Sequence, residues 1–247
     1  MGIFATLAAL AGRCLLPQTC AHCRQDLAAR WPQSLCPDCS RGLAACEPPY
    51  CLRCCEPMSA GRLLCRSCAG RPFACRLIRA AFFYRGPMPA LIHGFKYRGR
   101  KDAARAAGRW MARHLCRFPE LAGAEALVAV PLHWRKLRQR GYNQAEILAE
   151  ALGAEAGLPV LNLLKRTVST RPQWDLDRDS RLLNLSGAFA ARPQARNRRL
   201  LLIDDVCTSG TSLEECGRAL RRAGAAEVNA FVLARQTLFA GAPPPGK

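Results

Sequence analysis

Apolar and polar positions divide the chain into two parts with different patterns. From residue 77 onward, short apolar runs alternate with longer amphipathic stretches. The short runs predict strands at residues 77–84, 127–130, 200–203 and 228–234. The amphipathic stretches predict helices at residues 88–95, 102–116, 143–156 and 212–223. Short apolar strands alternating with helices favour a parallel sheet that is covered on both faces.

Residues 14–75 show little periodicity and contain most of the cysteines. Twelve of the fifteen cysteines precede position 76. Because they occur largely as C-x-x-C pairs, they suit a metal better than a disulfide framework, and we expect metal to fold this segment. The predicted organisation is a short apolar helix at 1–13, a cysteine module at 14–75, an α/β domain at 76–238 and a disordered tail at 239–247.

Four C-x-x-C pairs are the candidate metal ligands. They are Cys20 and Cys23, Cys36 and Cys39, Cys51 and Cys54, and Cys65 and Cys68. Two such pairs complete a tetrahedral zinc site with no open position, so the expected zinc is structural. Sequential pairing into two sites is the first expectation. Nested pairing and a single occupied site stay open, and Cys55 could replace the ligand that precedes it.

The charge indicates an anionic partner. The formal net charge is +19, and an excess this large favours DNA, RNA or a phosphorylated metabolite. The four tryptophans could stack on the bases of single-stranded DNA or belong to the core. These residues are Trp31, Trp110, Trp134 and Trp174. No apolar run approaches the roughly 20 residues that span a bilayer, and no secretory signal is evident. We therefore expect a cytoplasmic protein that is not integral to a membrane.

Residues 200–212 join a buried strand to two acids and a hydroxyl-rich loop. Ligands of open α/β sheets bind beyond the carboxyl ends of the strands, and loop amides at a helix N-terminus suit a phosphate. The expected phosphate-binding residues are Thr208, Ser209, Gly210, Thr211 and Ser212. Asp204 and Asp205 would repel a phosphate, so we expect them to bind ribose hydroxyls, or Mg²⁺ through water.

This segment resembles the 5-phosphoribosyl-1-pyrophosphate (PRPP) loop of type I phosphoribosyltransferases, and nearly the whole chain is similar to the ComF family. Residues 91–97 look like its "LIHxFKY" segment, and residues 130–144 look like its "VP…RGFNQ" signature. Gln173, Leu176, Arg181 and Asn184, ahead of residues 187–189, look like the segment before its "GAF". The resemblance implies a parallel-sheet, Rossmann-like type I phosphoribosyltransferase domain behind an N-terminal double zinc ribbon.

The same resemblance assigns expected roles to basic residues. Type I enzymes hold pyrophosphate next to the strand that would end at Val130 and Pro131, and the expected residues there are Arg135, Lys136, Arg138, Arg140 and Gly141. His133 is expected to add a further cation there. A flexible loop closes over the reacting centre in such enzymes, and the expected residues in it are Arg171, Gln173 and Arg181. Mg²⁺ would accompany PRPP.

Three functions follow as hypotheses. Because the resemblance links the chain to natural competence, we favour a protein that handles single-stranded DNA during DNA uptake and carries a functional PRPP site. The second hypothesis is a phosphoribosyltransferase that acts on an unidentified nitrogen acceptor. The third is a zinc-ribbon adaptor that recruits a helicase or translocation pore. No general base or base-reading residue stands out, so no catalytic residue is assigned.

Overall fold

The computed structural model describes residues 19–27, 34–167 and 187–237. Several expectations lie outside these ranges. They concern the expected N-terminal helix and C-terminal tail, the tryptophans Trp31 and Trp174, and the expected flexible-loop residues Arg171, Gln173 and Arg181. In the described ranges, no helix is both long enough and apolar enough to cross a membrane.

Six strands and six α-helices make up the described fold. The strands are β1 (Ile78–Phe83), β2 (Ala126–Ala129), β3 (Leu164–Arg166), β4 (Phe189–Ala191), β5 (Arg199–Cys207) and β6 (Glu227–Arg235). The helices are α1 (Pro37–Arg41), α2 (Met88–Tyr97), α3 (Lys101–Leu115), α4 (Trp134–Arg140), α5 (Gln144–Ala156) and α6 (Thr211–Arg222). Single 3-10 turns occur at Pro119–Leu121 and Pro193–Ala195.

Four parallel strands form the central sheet, in the order β1-β6-β5-β2. Its two middle strands, β5 and β6, are nine residues long and largely buried. Strands β3 and β4 form a separate antiparallel pair. The expected parallel α/β architecture is thereby confirmed, and its carboxyl ends share one edge of the sheet.

Each face of the sheet has its own apolar core. Leu201 and Ile203 of β5 pack on the face that α2, α3 and α5 cover. Leu200 and Leu202 pack on the opposite face with α6 and the β3–β4 pair. The strand side chains alternate between the two faces, as the pleat requires. Both faces are covered, which explains why the strands appear in the sequence as continuous apolar runs.

The close approach of α3 and α5 depends on a glycine. A Cβ atom on Gly108 would lie 2.6 Å from the Cβ atom of Ala151 and 2.7 Å from the carbonyl oxygen of Leu148. At the start of α5, the side chain of Asn143 accepts a hydrogen bond from the Ala145 amide at 3.1 Å. Gly157 ends α5 in the left-handed conformation. These features set the ends of α5 and its close packing on α3.

The cysteine module covers the exposed edge of β1. Ala45 forms an antiparallel bridge with Phe82. The amide of Phe83 donates to the carbonyl of Ala44 at 2.8 Å, and the amide of Cys46 donates to the carbonyl of Ala81 at 3.0 Å. Unpaired strand edges invite aggregation, so this pairing protects the sheet. The module and the sheet share hydrogen bonds, while the predicted domain limits stay predictions.

Most predicted elements occur within a few residues of their expected positions, with one informative exception. The strand predicted at 200–203 runs from Arg199 to Cys207. Its pairing with β6 continues to the Cys207–Arg235 position, so Asp204 and Asp205 lie inside the strand and not after it. Sequence analysis ended the strand at the first charged residue, whereas the ladder of hydrogen bonds extends it.

Candidate functional site

The two acids of β5 have different surroundings. The Oδ2 atom of Asp205 lies 2.8 Å from Nζ of Lys96, and the Asp205 side chain is 5% exposed. Asp204 is half-buried, and its Oδ1 accepts a hydrogen bond from the Asp205 amide at 2.8 Å. Burial, and then the charge of Asp205, raise the pKa of Asp204 to about 7. The site therefore holds one paired carboxylate beside one that titrates near neutral pH.

The loop after β5 turns sharply into α6. Gly210 is the N-cap of α6, with a φ of 78° in the left-handed region that glycine favours. The hydroxyls of Ser209 and Thr211 are 2.8 Å apart, and Thr208 and Ser209 are exposed. Exposed hydroxyls and the free amides of a helix N-terminus are the donors that a phosphate needs. Residues 208–212 thus lie beside the acids at the carboxyl edge of the sheet.

The end of β2 lies next to these acids. The amide of Val130 donates to the carbonyl of Ile203 at 3.0 Å, one residue before Asp204. The side chain of Asn143 donates to the carbonyl of Val130 at 3.1 Å. Helix α4 begins at Trp134, shortly after Val130 in the chain, and therefore starts close to the acids. It carries the basic residues Arg135, Lys136, Arg138 and Arg140. Gly141 ends the helix with a φ of 75°.

His133 does not supply the expected positive charge. Its Nδ1 accepts a hydrogen bond from the Arg135 amide at 3.2 Å, so the side chain caps α4. Burial, and then the charges of Arg166 and Arg135, lower the pKa of His133. At neutral pH this imidazole is neutral, because an acceptor nitrogen and nearby cations both disfavour the protonated form.

An aromatic and basic surface adjoins the site. We define this aromatic–basic surface as Tyr97, Trp134, Arg135, Arg138 and Arg140. Trp134 is 50% exposed and Tyr97 is 63% exposed. The guanidinium carbons of Arg135 and Arg138 lie 5.3 Å and 5.2 Å from the Trp134 ring, and that of Arg140 lies 5.2 Å from the Tyr97 ring. By contrast, Trp110 is 8% exposed and belongs to the core.

The eight predicted metal ligands form two separate groups. Cys20, Cys23, Cys36 and Cys39 make the first tetrad, and Cys51, Cys54, Cys65 and Cys68 make the second. Within each tetrad the sulfur atoms all lie within 4.8 Å of one another. The pairing is therefore sequential in this structure, not nested.

The tetrads fit the demands of zinc. Sulfurs that hold one zinc ion at about 2.3 Å are about 3.8 Å apart in a tetrahedron. The Sγ atoms of Cys23 and Cys36 are 3.6 Å apart, and those of Cys54 and Cys65 are 3.7 Å apart. Thiol hydrogen bonds from Cys54, and then Cys68, hold the pKa of Cys51 below its usual range. Each tetrad would hold one zinc ion, which would cross-link the segment.

Cys55 is not part of a tetrad. Its sulfur lies 3.3 Å from that of Cys46, and both residues are buried. The next residue, Glu56, accepts hydrogen bonds from Arg235, and Arg235 also donates to the sulfur of Cys207 at 2.7 Å. Sequence analysis gave no role to Glu56, Arg235 or Lys96. The one signal for Arg235 in the sequence is its charge, because it follows directly after the apolar run 228–234.

The chain is similar to known proteins over most of its length. The family model "Phosphoribosyl transferase domain" matches residues 140–238. The chain is 30% identical over 223 residues to Competence protein F of Haemophilus influenzae, covering 87% of this chain and 96% of that protein. It is 30% identical over 232 residues to DNA utilization protein YhgH of Escherichia coli K12, covering 89% and 98% respectively.

A solved structure is also similar, though weakly. Glutamine PRPP amidotransferase from B. subtilis, complexed with ADP and GMP, shares 19% identity with a TM-score of 0.39, over 54% of this chain and 26% of that chain. The family match and the parallel sheet together define an α/β protein with a phosphoribosyltransferase domain, preceded by two cysteine tetrads. The chain belongs to the ComF family.

The tetrads predict a definite metal content. Purified protein should contain about two zinc ions per chain by mass spectrometry of the metal, as two four-thiolate sites require. Replacing Cys65→Ser should leave about one, because the second tetrad loses a ligand. Cys116→Ser is the matched control, since this exposed cysteine lies outside both tetrads. Protein without zinc, or Cys65→Ser protein with the full complement, would contradict the assignment.

The raised pKa of Asp204 predicts a pH dependence of stability. Between the ordinary value of 3.8 and about 7, the folded chain holds a proton on Asp204 that the unfolded chain has lost. The free energy of unfolding should therefore fall as pH rises through this window. Asp204→Asn should remove this component and be more stable than the wild type above pH 7, by about 1–3 kcal/mol.

Urea denaturation at pH 4.5, 6 and 8 would measure the effect. Glu155→Gln, an exposed change on α5, is the control and should follow the wild type. Equal pH dependence in wild type and Asp204→Asn would show that Asp204 titrates normally.

Proposed function

We propose that the protein binds PRPP or a related ribose phosphate at the carboxyl edge of β5. The observation that supports this most strongly is the register of β5, which holds Asp204 and Asp205 near the carboxyl end of the strand, two residues ahead of the hydroxyl-rich loop 208–212. In this proposal the two acids accept hydrogen bonds from the ribose hydroxyls. The loop amides and the hydroxyls of residues such as Ser209 and Thr211 hold the 5′-phosphate.

The charges around the acids suit such a ligand. Lys96 neutralises Asp205, so the acids repel an anionic ligand less than a free pair would. A protonated Asp204 could also donate a hydrogen bond to a ribose oxygen. Mg²⁺ would arrive with PRPP and neutralise its pyrophosphate.

The pyrophosphate of PRPP would extend toward the end of β2. There α4 carries the expected cations Arg135, Lys136, Arg138 and Arg140, followed by Gly141. The resemblance to type I enzymes assigns Arg171, Gln173 and Arg181, which lie outside the described residues, to the loop that covers the ligand in such enzymes. Closure of such a loop would exclude water from the site.

We further propose that the protein handles single-stranded DNA during DNA uptake in the cytoplasm. The aromatic–basic surface supports this role, because exposed rings stack on bases and arginines contact the phosphate backbone. Four residues of this surface lie on α4, and the fifth, Tyr97, follows Lys96, which pairs with Asp205. A bound strand would therefore run past the ribose-phosphate site. The net charge of +19 and the name of one relative, DNA utilization protein YhgH, agree with a DNA partner.

The ribose-phosphate site is tested by removing its acids. Asp204→Asn with Asp205→Asn should abolish binding of Mg-PRPP in isothermal titration calorimetry, because the ribose hydroxyls lose their charged acceptors. The fold should persist, since neither substitution changes side-chain size. Glu150→Gln with Glu155→Gln on α5 is the control with an equal loss of charge. Unchanged binding by the Asp204 and Asp205 variant would refute the site. Release of pyrophosphate would identify a transferase.

The DNA-handling role is tested at the aromatic–basic surface. Fluorescence anisotropy of a labelled single-stranded oligonucleotide should show binding that weakens steeply with salt, as phosphate contacts require. Trp134→Ala with Tyr97→Ala should weaken binding about tenfold or more, given ~1–3 kcal/mol per stacked base. Leu63→Ala, a 70% exposed residue of the cysteine module, is the control. An absence of binding at low salt would exclude the role.

A further inference from the structure

A buried ion pair joins the second cysteine tetrad to the central sheet. Glu56 follows the tetrad residue Cys54 by two positions, and Arg235 ends β6. The Nε and Nη2 atoms of Arg235 donate to Oε2 of Glu56 at 3.1 Å and 2.7 Å. Both side chains are 2% exposed. The loss of one partner of a buried charge pair is strongly destabilising, because it leaves an uncompensated buried charge.

Arg235 also contacts Cys207, the residue directly before loop 208–212, which we call the phosphate loop. Its Nη1 donates to the sulfur of Cys207 at 2.7 Å, and Cys207 is the last residue of β5. The amide of Gln236 donates to the carbonyl of Cys207 at 3.0 Å. A Cβ atom on Gly210 would lie 3.8 Å from the Cys207 sulfur, so the loop folds back onto this side chain. The guanidinium group of Arg235 thus contacts both Glu56 of the cysteine module and Cys207, the residue directly before the loop.

The same module contacts the first turns of α6. The amide of Ala74 donates to Oε2 of Glu214 at 2.7 Å, and the thiol of Cys75 donates to the carbonyl of Leu213 at 3.3 Å. A Cβ atom on Gly217 would lie 2.8 Å from the sulfur of Cys75. These contacts hold the far side of the loop, where it becomes helix.

The loop and the second tetrad also share a cleft. Cys54 and Cys68 line it from the tetrad, and Ser209, Gly210 and Thr211 line it from the loop. Its volume is about 70 Å³, room for little more than water. The tetrad therefore forms one wall of a cleft whose other wall is residues 209–211 of the loop.

We infer that Glu56 and Arg235 are positioning residues for the phosphate loop, and that the second cysteine tetrad sets the loop's shape through them. The expected effect on ligand affinity rests on the proposed ribose-phosphate site. The positioning of the loop by Glu56 and Arg235 is a property of the protein without ligand. Both side chains are 2% exposed, and they make polar contacts to each other and to Cys207, so we assign them a positioning role. The cysteine module is then a part of the binding site's construction and not a separate attachment.

The test removes both charges together. Glu56→Met with Arg235→Met leaves no unpaired charge, so the fold should persist. The matched control is Glu120→Met with Arg79→Met, because Arg79 is also buried and bonds Glu120 from β1. Hydrogen exchange of peptides covering 205–213 is measured on the ligand-free proteins, with Mg-PRPP affinity by calorimetry and zinc content alongside.

Loop exchange should be at least tenfold faster in the Glu56 and Arg235 variant, and Mg-PRPP affinity at least tenfold weaker, with melting temperature and zinc retained. The control should match the wild type in loop exchange and affinity. Unchanged loop exchange and affinity in the Glu56 and Arg235 variant would overturn the inference and leave the proposed function standing. Wild-type protein that does not bind Mg-PRPP would refute the proposed function, and loop exchange alone would then decide the positioning role.

Arg235→Lys provides a second variant in case the double substitution does not fold. A lysine keeps the charge beside Glu56, but its single nitrogen replaces a fork of donors and cannot reproduce the three contacts. Loop exchange should again be faster than in the wild type. A folded Arg235→Lys protein with wild-type loop exchange would refute the positioning role.

Discussion

The register of β5 is the constraint on which the site depends. This strand is hydrogen-bonded to β2 on one side and to β6 on the other, and its central residues are completely buried. Slipping it by one position would move each buried side chain to the opposite face of the sheet, where it would meet the packing partners of another core. The register in turn places Asp204 and Asp205 at the sheet's edge, Val130 beside them and Arg235 level with Cys207. Three motifs that are far apart in sequence meet there for this reason.

A small cysteine-rich segment has little core of its own, and this protein compensates in two ways. Each tetrad gathers four thiols that zinc would cross-link. In addition, the first tetrad packs into the core beside α2 and α3, while residues 44–46 extend the sheet at β1. The module therefore stabilises the sheet edge as much as the sheet stabilises the module. The buried ion pair between Glu56 and Arg235 adds a polar contact between the module and the sheet.

The sequence predicted the elements whose signals are local. Apolar runs located every strand of the main sheet, and C-x-x-C spacing located the tetrads. What it did not predict depends on contacts between distant segments. The length of β5 came from pairing with β6, and the partners of Lys96 and Arg235 lie 109 and 179 residues away. His133 was expected to be a cation, but local capping and neighbouring arginines make it neutral.

The central claim is that the loop after β5 holds a phosphate beside two ribose-binding acids. Amide ¹H–¹⁵N spectra of the zinc-loaded protein, titrated with Mg-PRPP, test it directly. The account predicts that the largest shifts occur at the amides of residues 208–212, with smaller shifts at Asp205 and Lys96. Shifts confined to α4 and the aromatic–basic surface, with the loop signals unmoved, would contradict it.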